Sequence, residues 1–268
     1  MKILAVTNIK GGVGKTTTTV NLAYLCALSG RPTVLWDLDP QGAATYTLRC
    51  EAADNASAKK LVSGKRELTE LLVASPFPKL EVLPADFSYR NFDVHLSERK
   101  NPTERLLKMS RVLRDRFAVL FLDCPPGISL LSENVLRAAD AVIVPLIPTP
   151  LSVRMLEQLR DFTVAREWTD LQLLPFFSMV DRRKSLHCQV IDELRLKFTE
   201  ILGTEVPYWS EIEKMTLRRA PLPSYAPHSP AGEVYAALWR EIETRVALPP
   251  PVPSELTVET AAADAPPY

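Results

Sequence analysis

Six short runs along the chain are apolar at nearly every position: ILAVT from Ile3, TVLWD from Thr33, LEVLPA from Leu80, AVLFLD from Ala118, AVIVPL from Ala141 and LQLLPFF from Leu171. A strand with one wet face alternates apolar and polar residues. Runs without that alternation suit strands buried on both faces of a parallel sheet. Between them lie longer stretches of helical character, at residues 15–29, 102–115, 129–138, 151–167, 186–202 and 230–246. The succession predicts an α/β class fold, a doubly wound, mostly parallel sheet flanked by helices. The first helix has a clear stop, Ser29-Gly30 with Pro32 just beyond.

Two segments break the pattern. Residues 52–68 are polar and carry Lys59, Lys60, Lys65 and Arg66, which predicts a surface insertion. From Leu248 the chain reads LPPPVPSELTVETAAADAPPY, with no hydrophobic face. Such a segment buries too little apolar surface to offset the entropy of ordering, so a single domain over 1–247 and a disordered tail over 248–268 are expected.

Composition narrows the picture. The 268 residues suffice for one large α/β domain. Lys+Arg and Asp+Glu are equal at 32 each, so any nucleic-acid contact must come from a local patch. No apolar run is long enough to cross a bilayer, and the apolar N-terminus leads into a glycine-rich loop and not a cleavage site. Cys26, Cys50, Cys124 and Cys188 form no CxxC pair, which points to a reduced cytoplasmic protein without structural zinc or an iron–sulfur cluster.

The chemistry starts at residues 10–16, KGGVGKT, between the first strand and the first helix. Glycines there let backbone N–H groups close around phosphate oxygens, and the helix N-terminus adds positive potential. Gly11, Gly12, Val13, Gly14, Lys15, Thr16 and Thr17 are the expected phosphate-binding residues, with Lys15 reaching the β- and γ-phosphates and the Thr16 hydroxyl on Mg²⁺. The strict G-x-x-x-x-G-K-[ST] form fails, because Ile9, not glycine, stands five residues before Gly14. Two further strand ends carry carboxylates: Asp37 and Asp39 in LWDLDPQG, and Asp123 in LFLDCPPG. In a doubly wound sheet such ends form the ligand-binding edge. Asp123 is the expected Walker B carboxylate for the metal. Cys124 lacks an activating neighbour and reads as packing; His187 and His228 are assigned no chemistry.

The K-G-G-x-G-K-T loop resembles the deviant Walker A of the ParA/MinD family of partition and positioning ATPases, and the likeness runs over about residues 1–246. The resemblance implies a slow Mg-dependent ATPase with ATP and Mg²⁺ as cofactors. It further implies an ATP-sandwich homodimer in which Lys15 acts within its own subunit and Lys10 touches the phosphates of the other. It assigns Asp39 to the attacking water in a switch I loop, Asp37 to the neighbourhood of the Mg²⁺ shell, and Pro125–Gly127 to switch II. Ala43 stands where many members carry Asn. The backbone near Ser178–Asp181 and the loop at Pro221–Pro223 would cradle the adenine.

The same resemblance implies sequence-independent DNA binding by basic residues that a dimer gathers on one face. Arg182, Arg183, Lys184, Lys214, Arg218 and Arg219 are the clusters available, acting by phosphate neutralisation. A nucleoid-associated cytoplasmic switch that positions a plasmid, a chromosome or a protein organelle, stimulated by an adaptor protein, is the leading expectation. Two alternatives remain: a membrane-recruited MinD-like regulator, for which the tail lacks a basic amphipathic helix, and an ATP-dependent metabolic enzyme of the same superfamily. Stable membrane insertion is not expected.

Overall fold

The computed structural model describes residues 1–52 and 56–252. Among the described residues, eight strands form one sheet: β1 (Lys2–Val6), β2 (Thr33–Asp37), β3 (Val73–Ala74), β4 (Leu80–Leu83), β5 (Val119–Asp123), β6 (Ala141–Leu146), β7 (Gln172–Val180) and β8 (Glu205–Pro207). Their order is β3-β4-β2-β5-β1-β6-β7-β8, parallel throughout except for the β3–β4 pair. The helices are α1 (Lys15–Leu28), α2 (Ala43–Thr47), α3 (Ala58–Ser63), α4 (Phe92–Ser97), α5 (Arg105–Ser110), α6 (Leu130–Ala138), α7 (Pro150–Ala165), α8 (Ser185–Lys197), α9 (Ser210–Arg218), α10 (Leu222–Tyr225) and α11 (Pro230–Arg245).

The doubly apolar strands have the cause their pattern suggested. Ile3, Ala5, Val34, Trp36, Leu120 and Leu122 join a core with α3, α4, α6, α7 and α8 on one side of the sheet. Their neighbours Leu4, Val6, Leu35, Val119 and Phe121 join a second core with α1 and α11 on the other. Since successive side chains point to opposite faces, a strand between two helical layers has no position left for a polar residue.

Three expectations change. The segment 52–68 is not wholly a surface insertion: Ala58, Leu61, Val62 and Leu68 enter the first core, while Lys59, Lys60 and Lys65 face solvent. The window 102–115 holds a short α5 followed by a 3₁₀ turn over Arg111–Leu113. The chain beyond Leu248 stays attached as far as residue 252: Arg31 Nε donates to the Pro249 carbonyl at 2.7 Å, and Val252 N–H to the Gly30 carbonyl at 3.3 Å. The rest of the expected disordered tail, 253–268, lies outside the described residues.

One glycine carries a stability prediction. At Gly232, in the first turn of α11, a Cβ would sit 2.3 Å from the Ala226 carbonyl oxygen and 2.9 Å from that of Pro227. Both obstacles are backbone, so no rotamer change relieves them. Gly232→Ala should cost about 2–3 kcal/mol and lower the melting temperature by several degrees. Denaturant or thermal unfolding checks this; a midpoint equal to wild type would show that the turn before α11 yields freely.

Candidate nucleotide site

The first helix opens directly from the turn after β1. Gly12 (φ 71°) and Gly14 (φ 90°) hold left-handed conformations that an L side chain adopts only with strain. A Cβ on Gly14 would lie 3.1 Å from Ser178 Oγ, so the loop also needs glycine to pass beneath the end of β7. Gly11 and Gly12 are exposed and Val13 is buried, which anchors an otherwise open loop.

Lys15 is buried, and its Nζ donates to the Lys10 carbonyl at 3.0 Å. Burial lowers its pKa, opposed by the nearby carboxylates of Asp123 and Asp39. The Lys10 backbone N–H is tied to Asn8 Oδ1 at 2.8 Å, while its side chain points into solvent with no ion pair among the described residues. The two lysines of the loop therefore sit in opposite settings, one sealed behind the loop and one free at its lip.

Asp37 and Asp123 are partners in register at the ends of β2 and β5, and both are fully buried. Burial raises the pKa of each, and their mutual repulsion raises that of Asp123 further. They are satisfied differently. Asp37 Oδ1 accepts from Asp39 N–H; its Oδ2 accepts from Thr45 N–H at 2.8 Å and the Thr45 hydroxyl at 2.7 Å. Asp123 Oδ1 accepts from the Thr19 hydroxyl at 2.9 Å, whereas its Oδ2 is buried without a protein partner. A buried carboxylate oxygen without a protein partner, at a strand end in register with the end of β1 from which the glycine loop leaves, fits a hard cation. Mg²⁺ therefore fits at Thr16 and Asp123, and nucleotide phosphates would complete its oxygen shell. Both Asp37 oxygens accept hydrogen bonds from the turn after β2 and from α2, which ties that loop to the end of β2.

Asp39 lies at the bend after β2. Its Oδ1 caps the turn by accepting from Gln41 N–H at 3.0 Å, and the Gly42 N–H donates to its carbonyl. Oδ2 has no hydrogen-bond partner among the described residues, and the carboxylate raises the pKa of nearby Lys15. Cys124 is buried, and burial holds its thiol well above the ordinary range, in line with a packing role.

A cavity of about 340 Å³ runs from Gly14, Thr16 and Thr17 to Pro207, Tyr208 and Trp209. Of the Ser178–Asp181 stretch expected at the adenine, Ser178 and Met179 line it and Val180 and Asp181 do not. Pro221 does not line it; it caps α10 on the flank of α1, where Leu222 N–H donates to Asn21 Oδ1. The aromatic wall Tyr208-Trp209 escaped the sequence reading. The run VPYW, apolar and aromatic after a short strand, was the available signal.

The basic residues separate into two groups. Arg182 pairs with Glu205 and Arg183 with Asp181, whose carboxyl is held down to about 2 by that guanidinium. Lys184 is exposed at the start of α8. Lys214, Arg218 and Arg219 have no ion pair among the described residues; Arg218 stacks 4.7 Å over Tyr225 and Arg219 4.4 Å over Tyr46.

Known proteins resemble this chain in sequence and fold. A family model described as AAA domain matches residues 1–168. The chain is 32% identical over 247 residues to the sporulation initiation inhibitor protein Soj of Bacillus subtilis (strain 168), a match covering 90% of this chain and 98% of Soj. This chain belongs to the ParA/MinD family of ATPases. A solved structure of the family's fold, described as cobyrinic acid a,c-diamide synthase from Mycobacterium smegmatis with bound ATP analogue and magnesium, superposes with a TM-score of 0.75 at 28% identity, covering 94% of this chain and all of that one. A variant of Cyanothece McdA in complex with ATP superposes with a TM-score of 0.78 at 18% identity, covering 90% of this chain and 96% of that chain, a likeness of fold. ATP and Mg²⁺ are the cofactors that this ParA/MinD site fits.

Proposed function

We propose that this chain is a ParA-like, Mg-dependent ATPase switch that dimerises around ATP, binds DNA without sequence preference and positions an intracellular cargo on the nucleoid. The observation that carries the reading is the split setting of the two loop lysines: Lys15 is sealed inside its own subunit, and Lys10 is free at the lip. Ile128, 72% exposed beside the same lip, offers apolar surface for a second copy.

In this reading the loop N–H groups and Lys15 hold the phosphates. Thr16 and Asp123 would hold magnesium, whose positive charge would offset the negative charge developing on the phosphates. Asp39 orients the water and takes its proton. Asp37, through Thr45 and the Asp39 N–H, keeps the switch I loop in place. Lys10 from the second subunit completes the charge around the phosphates, and an adaptor protein accelerates the step.

The DNA surface is Lys214, Arg218 and Arg219. Their charge is uncompensated, whereas Arg182 and Arg183 are half-spent on Glu205 and Asp181. Lys214→Ala/Arg218→Ala should weaken binding to unrelated duplexes equally and flatten the log-affinity against log-salt slope by about 0.9 for each lost phosphate contact. Arg182→Ala/Arg183→Ala should change it much less. Binding measured at several salt concentrations, with ATP and with ADP, tests this. Equal binding with the two nucleotides, or none at any salt, would sink the nucleoid reading.

The likeness to a protein named as a diamide synthase supports a second reading, ATP-dependent amide formation. The buried thiols of Cys26, Cys50 and Cys124 tell against an ammonia-releasing nucleophile among them, since burial raises all three.

A further inference from the structure

Two helices face each other across the nucleotide cavity. α2 contributes Ala43 and Thr47 to its wall; α9 contributes Ile212, Glu213, Met215 and Thr216. Just beyond the end of each helix the chain takes a left-handed conformation at an arginine, φ 57° at Arg49 and φ 49° at Arg219. Neither is glycine, so each position carries strain that its surroundings must hold in place.

What holds them is reciprocal. Arg49 donates from Nε to the Arg219 carbonyl at 2.9 Å and from Nη2 to the Arg218 carbonyl at 3.1 Å. Arg219 donates from Nε to the Tyr46 carbonyl at 3.0 Å and lays its guanidinium over the Tyr46 ring. The carbonyls of Tyr46 and Arg218 belong to the last turns of α2 and α9, where unsatisfied C=O groups gather partial negative charge and favour a cation. One planar fork spans two successive carbonyls, a geometry that a lysine ammonium cannot reproduce. α2 has five residues, too few to be stable by itself, and its other polar tethers run through Thr45, which bonds Asp37 and accepts from the Ala85 N–H at 2.8 Å.

We propose that Arg49 and Arg219 form a reciprocal clamp that sets the width of the nucleoside half of the cavity. They are positioning residues for the base and sugar, and not for the phosphates. The inference rests on the reading of this cavity as the nucleotide site. With the clamp closed, the two walls are already spaced when the nucleotide arrives. Without it, the ligand must order α2 at the expense of its own affinity.

Arg49→Gly is the informative variant, because glycine suits the positive φ while the guanidinium is lost. Dissociation constants of Mg·ADP and of inorganic tripolyphosphate, measured by calorimetry on the full chain, separate the two halves of the site. ADP should bind about tenfold more weakly, the scale of one to two net hydrogen bonds. Tripolyphosphate, which meets only the loop, should bind as in wild type. Arg49→Lys should behave like Arg49→Gly. Arg49→Gly/Arg219→Gly should be little worse than either single variant, because the pair acts as one unit. An ADP constant within about twofold of wild type, or equal weakening of both probes, overturns the clamp. Neither measurement involves DNA or a dimer, so loss of the positioning-switch reading leaves the result standing. Wild-type protein that binds neither probe would instead remove the nucleotide site itself.

Discussion

Asp39→Ala is expected to keep ATP bound and to hydrolyse it roughly 10²–10⁴ times more slowly, the range that a positioned general base contributes. Asp39 is the one carboxylate of the three at this edge that is free to meet a water. Both oxygens of Asp37 are committed to Asp39 N–H and Thr45, and Asp123 lies fully buried with Thr19. Removing Asp39 deletes none of the groups that hold phosphate, so affinity survives and the ATP-bound form accumulates. Lys15→Ala should do the opposite. It removes the buried ammonium that the proposed reading sets against the phosphates, and nucleotide binding should fall below detection at micromolar concentrations. Titration of a labelled ATP analogue, with phosphate release measured in parallel, distinguishes the two. Normal turnover in Asp39→Ala would take Asp39 out of the mechanism.

Lys10→Ala should bind ATP as a monomer and fail to dimerise. The side chain makes no ion pair in its own subunit among the described residues, and the main-chain contacts of Lys10, with Asn8 and Lys15, persist in the variant. The loop should therefore keep its shape. What is lost is a cation that, across a dimer, would lie against a triphosphate in a water-poor interface, where charge-assisted contacts are strongest. Sedimentation with a slowly hydrolysed ATP analogue reads the result directly. A variant that dimerises as wild type does would leave the second lysine without a role.

Much of the scaffold was legible along the chain. TVLWD and AVIVPL coincide with β2 and β6, because a strand buried on both faces writes an uninterrupted apolar run. The phosphate loop was legible for a different reason: glycine at a left-handed position has few substitutes, so the backbone requirement is itself written in the sequence. Short elements were not legible. α2 and α4 are too brief to establish a period, and β8 has only three residues, paired at the sheet edge. Segment 52–68 misled because its lysines outnumber the few apolar residues that enter the core.

The basic clusters show where composition stops. RRK at 182–184 and RR at 218–219 look alike as text, yet Arg182 and Arg183 meet Glu205 and Asp181 while Arg218 and Arg219 meet aromatic rings. Glu205 lies 23 residues from Arg182, brought close by β8 joining the sheet beside β7. The same holds for the carboxylates. The chain by itself determined the layered α/β class, the phosphate loop and the three aspartates at the strand ends, because periodicity and local backbone needs are properties of neighbouring residues. Only the tertiary structure decided that Asp37 is bound to α2, that Asp123 keeps a buried oxygen free, and that Arg49 grips Arg219. Each of those assignments depends on which donors arrive from distant segments, and a polar group's role is set by the partners left to it once the fold has closed.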